Sequence, residues 1–284
     1  MSVLTLLFTA GVAALVAAGA WQHLRYLRVR RERLEDRQPL FYPRATFHTV
    51  TYVKVDPASG REGELVTLRA LRRAIEAPGG GRVVYAGLVA VNMAASTRLP
   101  NDWSALVLAQ YPSKDAFERQ REGAALGEVL RGCERSHVHG FWRPALSNLM
   151  IPIGLGLIRL RGIVLRRKPI LPFEPLAAED ALPPIQAKRK EMLSLDDYRD
   201  IREDAVVVVN LIQPGTAEQQ AADNAYTGAM MRGMAEGGYG PMHMGRAVLV
   251  EGEHRYKHFV AVYYPGIDHM HAMIGCTFVN RVGP

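Results

Sequence analysis

Histidines with metal-ligand spacing are the first residues in this sequence that suggest chemistry. His137 and His139 alternate on a predicted strand, so both imidazoles lie on one face, as ligand pairs do in some metal sites. Three more histidines stand among methionines, and imidazole with thioether would suit copper. These three are His243, His269 and His271. Methionine also fills apolar cores, and we therefore expect no metal and no cofactor. A haem or copper protein with these ligands stays an alternative.

No motif in the sequence specifies a reaction. The sequence has no phosphate-binding glycine loop, nucleophile elbow or zinc-protease motif, so we assign no catalytic residue and favour a role other than catalysis. Asp115 and Asp268 follow Tyr-Pro at the start of predicted helices, where capping explains a carboxylate fully. An internal cavity is a separate hypothesis, although core packing is the favoured interpretation of the residues concerned. The side chains that could line this cavity are Tyr52, Trp103, His137 and Trp142.

The positive charge of the chain is confined to two short segments. The formal net charge of the 284 residues is +7, which invites nucleic acid, anionic lipid or an acidic partner. The segment 23–38 carries +3 and the segment 145–168 carries +5, together more than the whole net charge. The remaining chain is nearly neutral, so the predicted domains offer no basic face for nucleic acid. We expect no nucleic-acid partner.

The N-terminus predicts a transmembrane helix over residues 1–24. Nineteen consecutive residues from Val3 to Trp21 carry no charge, and a helix of that length crosses a bilayer core. A cleaved signal peptide is the alternative, but the arginines follow the apolar run instead of preceding it. The positive-inside rule then places the N-terminus outside and the folded domains in the cytoplasm. We expect a single-pass protein of a bacterial-type inner membrane.

Two basic segments are predicted to contact the membrane. Residues 25–45 form a juxtamembrane segment, and residues 145–203 form a central linker that begins with an apolar stretch and continues rich in proline. The apolar stretch is too short to span, and its Pro and Gly residues weaken a regular helix, so it predicts an interfacial or re-entrant segment. The alternative is a segment packed across the folded domain. The predicted lipid contacts are Trp21, Arg25, Arg28, Arg30, Arg31, Arg159, Arg161, Arg166, Arg167 and Lys168.

Two similar units flank the central linker. Residues 46–144 and 204–284 each predict the order strand, helix, strand, strand, helix, strand, and the last strand of the second unit is placed at 277–282. Shared landmarks recur in the same order in both units. They are a proline after the first strand (Pro57, Pro214), a glycine in the second (Gly87, Gly245), Tyr-Pro-x-x-Asp after the third, and Gly-Cys after the last helix. The sequence therefore predicts an α+β fold of two tandem repeats.

This pattern resembles the dimeric α/β-barrel superfamily, in which two ferredoxin-like units pair their sheets into a barrel. The resemblance is carried by the βαββαβ order and by Tyr111-Pro112-x-x-Asp115-Ala116-Phe117 after the third strand. It covers the two repeats, but neither the anchor nor the central linker. It implies that one chain with two copies forms the barrel internally. Known members include cofactor-free monooxygenases and haem enzymes such as chlorite dismutase.

The sequence favours a structural role in a membrane complex. An uncleaved anchor, a second membrane-facing segment and the lack of a catalytic motif predict an accessory subunit of a respiratory or photosynthetic type of assembly. Its cytoplasmic barrel would be the docking module, and its partners would be membrane lipids and the other subunits. Two alternatives stay open: a membrane-associated monooxygenase-type enzyme that acts on a lipophilic small molecule, and a haem- or copper-binding protein.

Overall fold

The computed structural model describes residues 2–30, 38–89, 102–177, 206–213, 215–251 and 256–282. Within these ranges the chain forms an α+β fold. The N-terminal helix α1 spans Val3–Arg30. The first repeat consists of β1 (Phe47–Lys54), α2 (Gly60–Ile75), β2 (Arg82–Leu88), β3 (Ala105–Tyr111), α3 (Lys114–Glu122), α4 (Ala124–Arg131) and β4 (Arg135–Trp142). After α5 (Ser147–Val164) the second repeat consists of β5 (Val206–Ile212), α6 (Ala217–Gly237), β6 (Gly240–Glu251), β7 (His258–Tyr264), α7 (Ile267–Ile274) and α8 (Thr277–Val282).

Two helices of the repeats begin at side-chain caps, but the predicted capping by Asp115 and Asp268 is wrong, because both lie inside the first turn of their helices. The Ser113 side chain accepts a hydrogen bond from the Ala116 amide and caps α3, and Thr216 forms a capping box with Gln219 at the start of α6. Helix α2 is amphipathic, and its buried residues recur at helical spacing. They are Leu68, Leu71, Ala74 and Ile75. This apolar stripe packs the helix onto the sheet.

All seven strands form one antiparallel sheet that joins the two repeats. Its order is β2-β3-β1-β4-β6-β7-β5, so β4 of the first repeat pairs with β6 of the second. The two backbones approach closely at this junction: a Cβ on Gly245 would lie 2.3 Å from the Trp142 carbonyl oxygen. Only glycine fits there, which gives a physical reason for one of the recurring glycines.

The two faces of the sheet are covered in different ways. Helices α2, α3 and α4 cover one face of the first repeat with a core that includes Phe47, Tyr111 and Phe117. On the opposite face lies a second apolar cluster, whose buried residues come from six strands. Side chains of β5 pack against it, and no described helix contributes to it. Strand side chains can bury one another in this way only if the sheet curls around them. We call this inner side of the curled sheet the interior face.

The last predicted strand of the second repeat is wrong. Residues Thr277–Val282 form the helix α8 instead, so the described second repeat ends βαββαα and lacks a fourth strand. The backbone before α8 is occupied by the central linker, because the amides of Leu176 and Thr277 donate to the carbonyls of Gly275 and Glu174. Among the described strands, β2 and β5 are the sheet edges and do not pair with each other. Pro214, one of the predicted landmarks, lies outside the described residues.

The apolar part of the central linker forms a regular helix, against the expectation of an irregular segment. Helix α5 continues past Pro152 to Val164 and packs against α1 and α6. Its buried Leu155 belongs to the Met-rich core that packs beneath α6 in the second repeat. Helix α5 therefore lies on the side of the sheet that the helices cover, and not across the interior face. By length and composition, both α1 and α5 could cross a membrane.

Candidate functional site

Two groups of polar side chains lie on the interior face. In the β1–β4 register Tyr52 stands opposite His137, and His48 stands opposite Phe141. Because side chains alternate along a strand, residues 48, 50 and 52 and residues 137, 139 and 141 all point inward. The pattern thus places polar groups at both ends of β1 and β4. Buried Val50, Phe141 and Phe259 lie between them.

The first group, which we call the His137 cluster, consists of Tyr52, Trp103, His137, His139 and Tyr256. His137 Nε2 and His139 Nδ1 are 2.7 Å apart and form a hydrogen bond. The ring centroids of Tyr52 and Trp103 are 5.7 Å apart, and each lies 6.2 Å from the His137 ring. The Tyr256 ring meets His139 edge-on at 4.9 Å. Both histidines are buried, whereas Trp103 and Tyr256 are half-buried.

Burial keeps the phenols of the His137 cluster protonated. The pKa of Tyr52 lies well above its ordinary value, chiefly because burial disfavours the phenolate and secondarily because Tyr256 is nearby. Burial also raises the pKa of Tyr256. The Tyr52 hydroxyl has no hydrogen-bond partner among the described residues. A buried hydroxyl without a partner carries an energetic cost that a bound polar atom would relieve.

Ion pairs surround the exposed edge of the His137 cluster. The Arg135 guanidinium lies 4.8 Å from the centre of the Trp103 ring and pairs with Asp102. The Lys54 ammonium is 2.7 Å from Asp102 and 2.8 Å from Glu134. The hydrogen bond from Lys54 is the largest cause that lowers the pKa of Asp102 to about 2, so this carboxylate stays ionised. The His137 cluster therefore lies just inside a charged rim.

The second group, which we call the Arg143 cluster, consists of Tyr42, His48, Arg143 and His243. Arg143 extends from the end of β4, and its guanidinium donates to the Met242 carbonyl at 2.5 Å and to the Tyr42 hydroxyl at 3.3 Å. A nitrogen of Arg143 also lies 2.5 Å from His243 Nδ1. The same side chain binds the Ser147 hydroxyl at 2.7 Å and the Asn148 amide oxygen, both at the start of α5. One buried guanidinium thus ties β4, β6 and α5 together.

His48 is the least satisfied member of the Arg143 cluster. It is completely buried, and neither ring nitrogen has a hydrogen-bond partner among the described residues. Burial, with a smaller contribution from the Arg143 charge, lowers the pKa of His48 to about 3. The rings of Tyr42, Phe141 and His243 enclose it at 5.3, 5.1 and 5.9 Å. The imidazole is therefore neutral and held by aromatic packing.

The two clusters differ in the chemistry that they can support. A hydrogen-bonded imidazole pair can accept a proton at one ring and pass it to the other, which is the work of a general base. The protonated Tyr52 hydroxyl can donate a hydrogen bond to an oxygen that becomes negative. In the Arg143 cluster the guanidinium instead donates hydrogen bonds to backbone and side-chain oxygens of the protein itself. These hydrogen bonds hold the fold together and leave few donors for a substrate. The His137 cluster is the candidate functional site.

The predicted cavity residues divide between the two faces of the sheet. Tyr52, Trp103 and His137 come together as expected. Trp142 does not: its ring lies 5.1 Å from Phe47 on the helical face, and the residue is 39% exposed. Strand parity explains the difference, because Trp142 follows the inward-facing Phe141. His139 and Tyr256 were missed as cavity residues, although the His-x-His spacing already placed His139 on the same face as His137.

The three candidate metal ligands are not assembled into one site. His243 belongs to the Arg143 cluster, whereas His269 on α7 packs against Tyr239 at 4.7 Å and Phe173 at 5.2 Å. His271 follows His269 on the same helix. Within the ranges that the structure describes, no group of three His, Cys, Asp or Glu side chains could hold a metal ion. The His243 and His269 rings each pack against neighbouring rings, and His243 lies on β6 whereas His269 and His271 lie on α7.

Some of the predicted membrane-contact residues also bind protein groups. The Arg25 guanidinium donates to the carbonyls of Ala235 at 3.2 Å and Glu236 at 2.6 Å, which lie near the end of α6. Arg25 and Arg159 both lie over the Trp21 ring, with Cζ at 5.7 and 4.1 Å from its centre. Arg25 therefore holds α1 to the second repeat through carbonyls at a helix C-terminus, where cations are favoured.

The other predicted membrane contacts are solvent-exposed, or lie at or just after the last residue of α1. The exposed side chains are Arg28, Arg161, Arg166, Arg167 and Lys168. Arg30 is the last residue of α1, and Arg31 lies outside the described residues. Contact between these side chains and lipid stays a prediction.

No protein-family model and no curated protein matches the sequence. Solved structures do match the fold. One, from Lactobacillus acidophilus, is provisionally assigned as a monooxygenase; it is 9% identical, with a TM-score of 0.39 over 84% of this chain and 85% of that one. Another provisional monooxygenase, from Fusobacterium nucleatum, is 8% identical, with a TM-score of 0.41 over 84% and 85%. A mutant chlorite dismutase from Candidatus Nitrospira defluvii is 8% identical, with a TM-score of 0.39 over 85% and 87%.

These comparisons support the coarse fold and correct the predicted function. The curled antiparallel sheet resembles the dimeric α/β-barrel fold, as expected from the repeats. The similar structures are described as enzymes, which contradicts the prediction of an accessory structural subunit in a respiratory or photosynthetic type of complex. That prediction is wrong, because the lack of a sequence motif is not evidence against catalysis.

Proposed function

We propose that this chain is a membrane-associated enzyme of the monooxygenase type that acts on a lipophilic small molecule. The observation that carries the proposal is the hydrogen-bonded pair of His137 and His139, which is buried beside Tyr52 inside the curled sheet. Half-buried Trp103 and Tyr256 supply flat apolar surfaces at the edge of the same cluster. A mostly apolar site with a few convergent polar groups is typical of small-molecule binding.

The imidazole pair acts as the general base on an acidic C–H group of the substrate. Removal of this proton leaves an electron pair on carbon, and the Tyr52 hydroxyl stabilises the charge by a hydrogen bond to an adjacent oxygen. The carbanion then reduces dioxygen, so that a methylene group and one dioxygen molecule give a carbonyl group and one water molecule. The carbon supplies all the electrons, one oxygen atom enters the carbonyl, and the other leaves as water. The described residues therefore have to move protons but need no separate reductant.

The same proposal includes an arrangement at a membrane. The apolar residues of α1 up to Val16 are exposed, as expected for a segment in lipid, and the basic residues follow at the C-terminal end of the helix. The positive-inside rule then favours an external N-terminus and cytoplasmic repeats at a bacterial-type inner membrane. Membrane lipids are the proposed partner, contacted through the basic residues predicted above.

Oxygen uptake tests the proposal. The full-length protein is purified in detergent, transferred to lipid nanodiscs and mixed with two classes of membrane-soluble compound that carry an acidic methylene group, namely β-dicarbonyl compounds and aryl ketones. We expect at least one class to cause substrate-dependent oxygen consumption, with one atom of ¹⁸O₂ found in the product and one in water. An intact, folded sample that consumes no oxygen with any class would overturn the proposal.

A further inference from the structure

We propose that the outer face of α5 contacts lipid in the same bilayer that holds α1, so that the chain is attached by two packed helices instead of one. The inference rests on the membrane association proposed above. Helix α5 exposes one apolar side chain near its start and several along its second half, where Arg161 is also exposed. Its exposed large side chains are Met150, Leu157, Leu160, Ile163 and Val164. An exposed apolar patch of this kind marks a contact surface.

Helices α5 and α1 pack closely against each other. A Cβ on Gly156 would lie 2.7 Å from the Ala18 carbonyl oxygen, and a Cβ on Gly19 would lie 2.6 Å from Ile153 Cγ1. Small residues at these positions let the two backbones approach closely, as in helix pairs within membranes. Helix α1, which carries its own exposed apolar side chains, therefore packs directly against α5.

Charge complementarity identifies the occupant as a bilayer with anionic headgroups. Helix α5 contains no acidic residue, and basic residues begin at Arg159 and continue beyond its C-terminus. The exposed basic side chains are Arg161, Arg166, Arg167 and Lys168. The Arg159 guanidinium stacks on half-exposed Trp21, a pairing suited to the boundary between lipid tails and headgroups. A protein partner would not require basic residues confined to one end of an apolar helix face.

Site-directed spin labelling of the full chain tests the proposal. Both cysteines are first replaced (Cys133→Ser, Cys276→Ala), and single cysteines are introduced at Met150 and Ile163 of α5. Val66 on α2 is the matched control, because it is 54% exposed against 53% for Met150. Phe8, which is 74% exposed on α1, reports the anchor itself. The labelled proteins are reconstituted into phosphatidylcholine–phosphatidylglycerol vesicles without any other protein.

We expect the α5 labels to collide readily with oxygen and rarely with a water-soluble nickel chelate, as the Phe8 label does, whereas the Val66 label shows the reverse. An α5 label as accessible to the chelate as Val66 would overturn the proposal. Exclusion of both reagents would also overturn it, because it indicates cover by a second copy of the chain. If the Phe8 label is itself accessible to the chelate, membrane association fails, which is a distinguishable result.

Discussion

The His137 cluster and the Arg143 cluster are built on the same strands and the same face, yet their polar groups are used differently. Arg143 donates to oxygens on three different elements, so its guanidinium is committed to holding the fold. In the His137 cluster the imidazoles bind each other, and the Tyr52 hydroxyl binds nothing among the described residues. Burial alone therefore does not mark a site; the decisive difference is whether the buried donors are already engaged by protein.

Removal of Arg143 should have the largest effect on stability. Arg143→Met leaves several buried oxygens without their donor and detaches the start of α5 from β4, so we expect a loss of roughly 3–5 kcal/mol in the free energy of unfolding. The measurement is thermal or denaturant unfolding in detergent. Arg246→Met is the matched control, because Arg246 is exposed on β6 and should change stability by about 0.5 kcal/mol or less. Equal effects of the two substitutions would show that the Arg143 cluster does not hold the fold.

Acid should weaken the fold through His48. Its pKa is about 3 in the folded chain and 6.5 when unperturbed, so the unfolded state binds the proton first as the pH falls below 6.5. Stability contributed by neutral His48 is fully present above that pH and is lost progressively toward pH 3, by about 2 kcal/mol at pH 5. We expect His48→Phe to flatten this part of the pH profile. An unchanged slope between pH 6.5 and 5 would contradict the assignment of His48 as a buried neutral imidazole.

Removal of the Tyr52 hydroxyl should have the smallest effect on stability. Tyr52→Phe deletes a buried hydroxyl without a partner, so stability should be unchanged or rise by about 0.5–1 kcal/mol. Tyr111 is the matched control, since it is also buried but is hydrogen-bonded to Thr49. Tyr111→Phe should therefore cost about 1 kcal/mol in the same unfolding measurement. A loss for Tyr52→Phe as large as that for Tyr111→Phe would mean that the Tyr52 hydroxyl is already engaged.

Local periodicity predicts much of this fold but not its long-range pairings. Alternation placed His137 and His139 on one face, and the same parity should have separated Trp142 from them. The same alternation continues to Arg143, but the positions of its partner His243 and of Tyr256 depend on pairing between strands, which no local pattern records. Helix α5 forms despite Pro152 because packing against α1 and α6 outweighs local propensity. At the end of the second repeat the central linker pairs with the backbone of Gly275 and Thr277, a long-range contact that no local pattern records.

The most direct test of the central claim is the effect of His139→Gln on oxygen consumption by the full-length protein in nanodiscs, with the substrate that supports turnover. Loss of the general base should lower kcat by at least about 100-fold while the unfolding temperature changes little. His258→Gln, which alters an exposed histidine on β7, is the matched control and should retain full activity. A His139→Gln protein that is folded and as active as the His258→Gln control would contradict the assignment of the imidazole pair as the base.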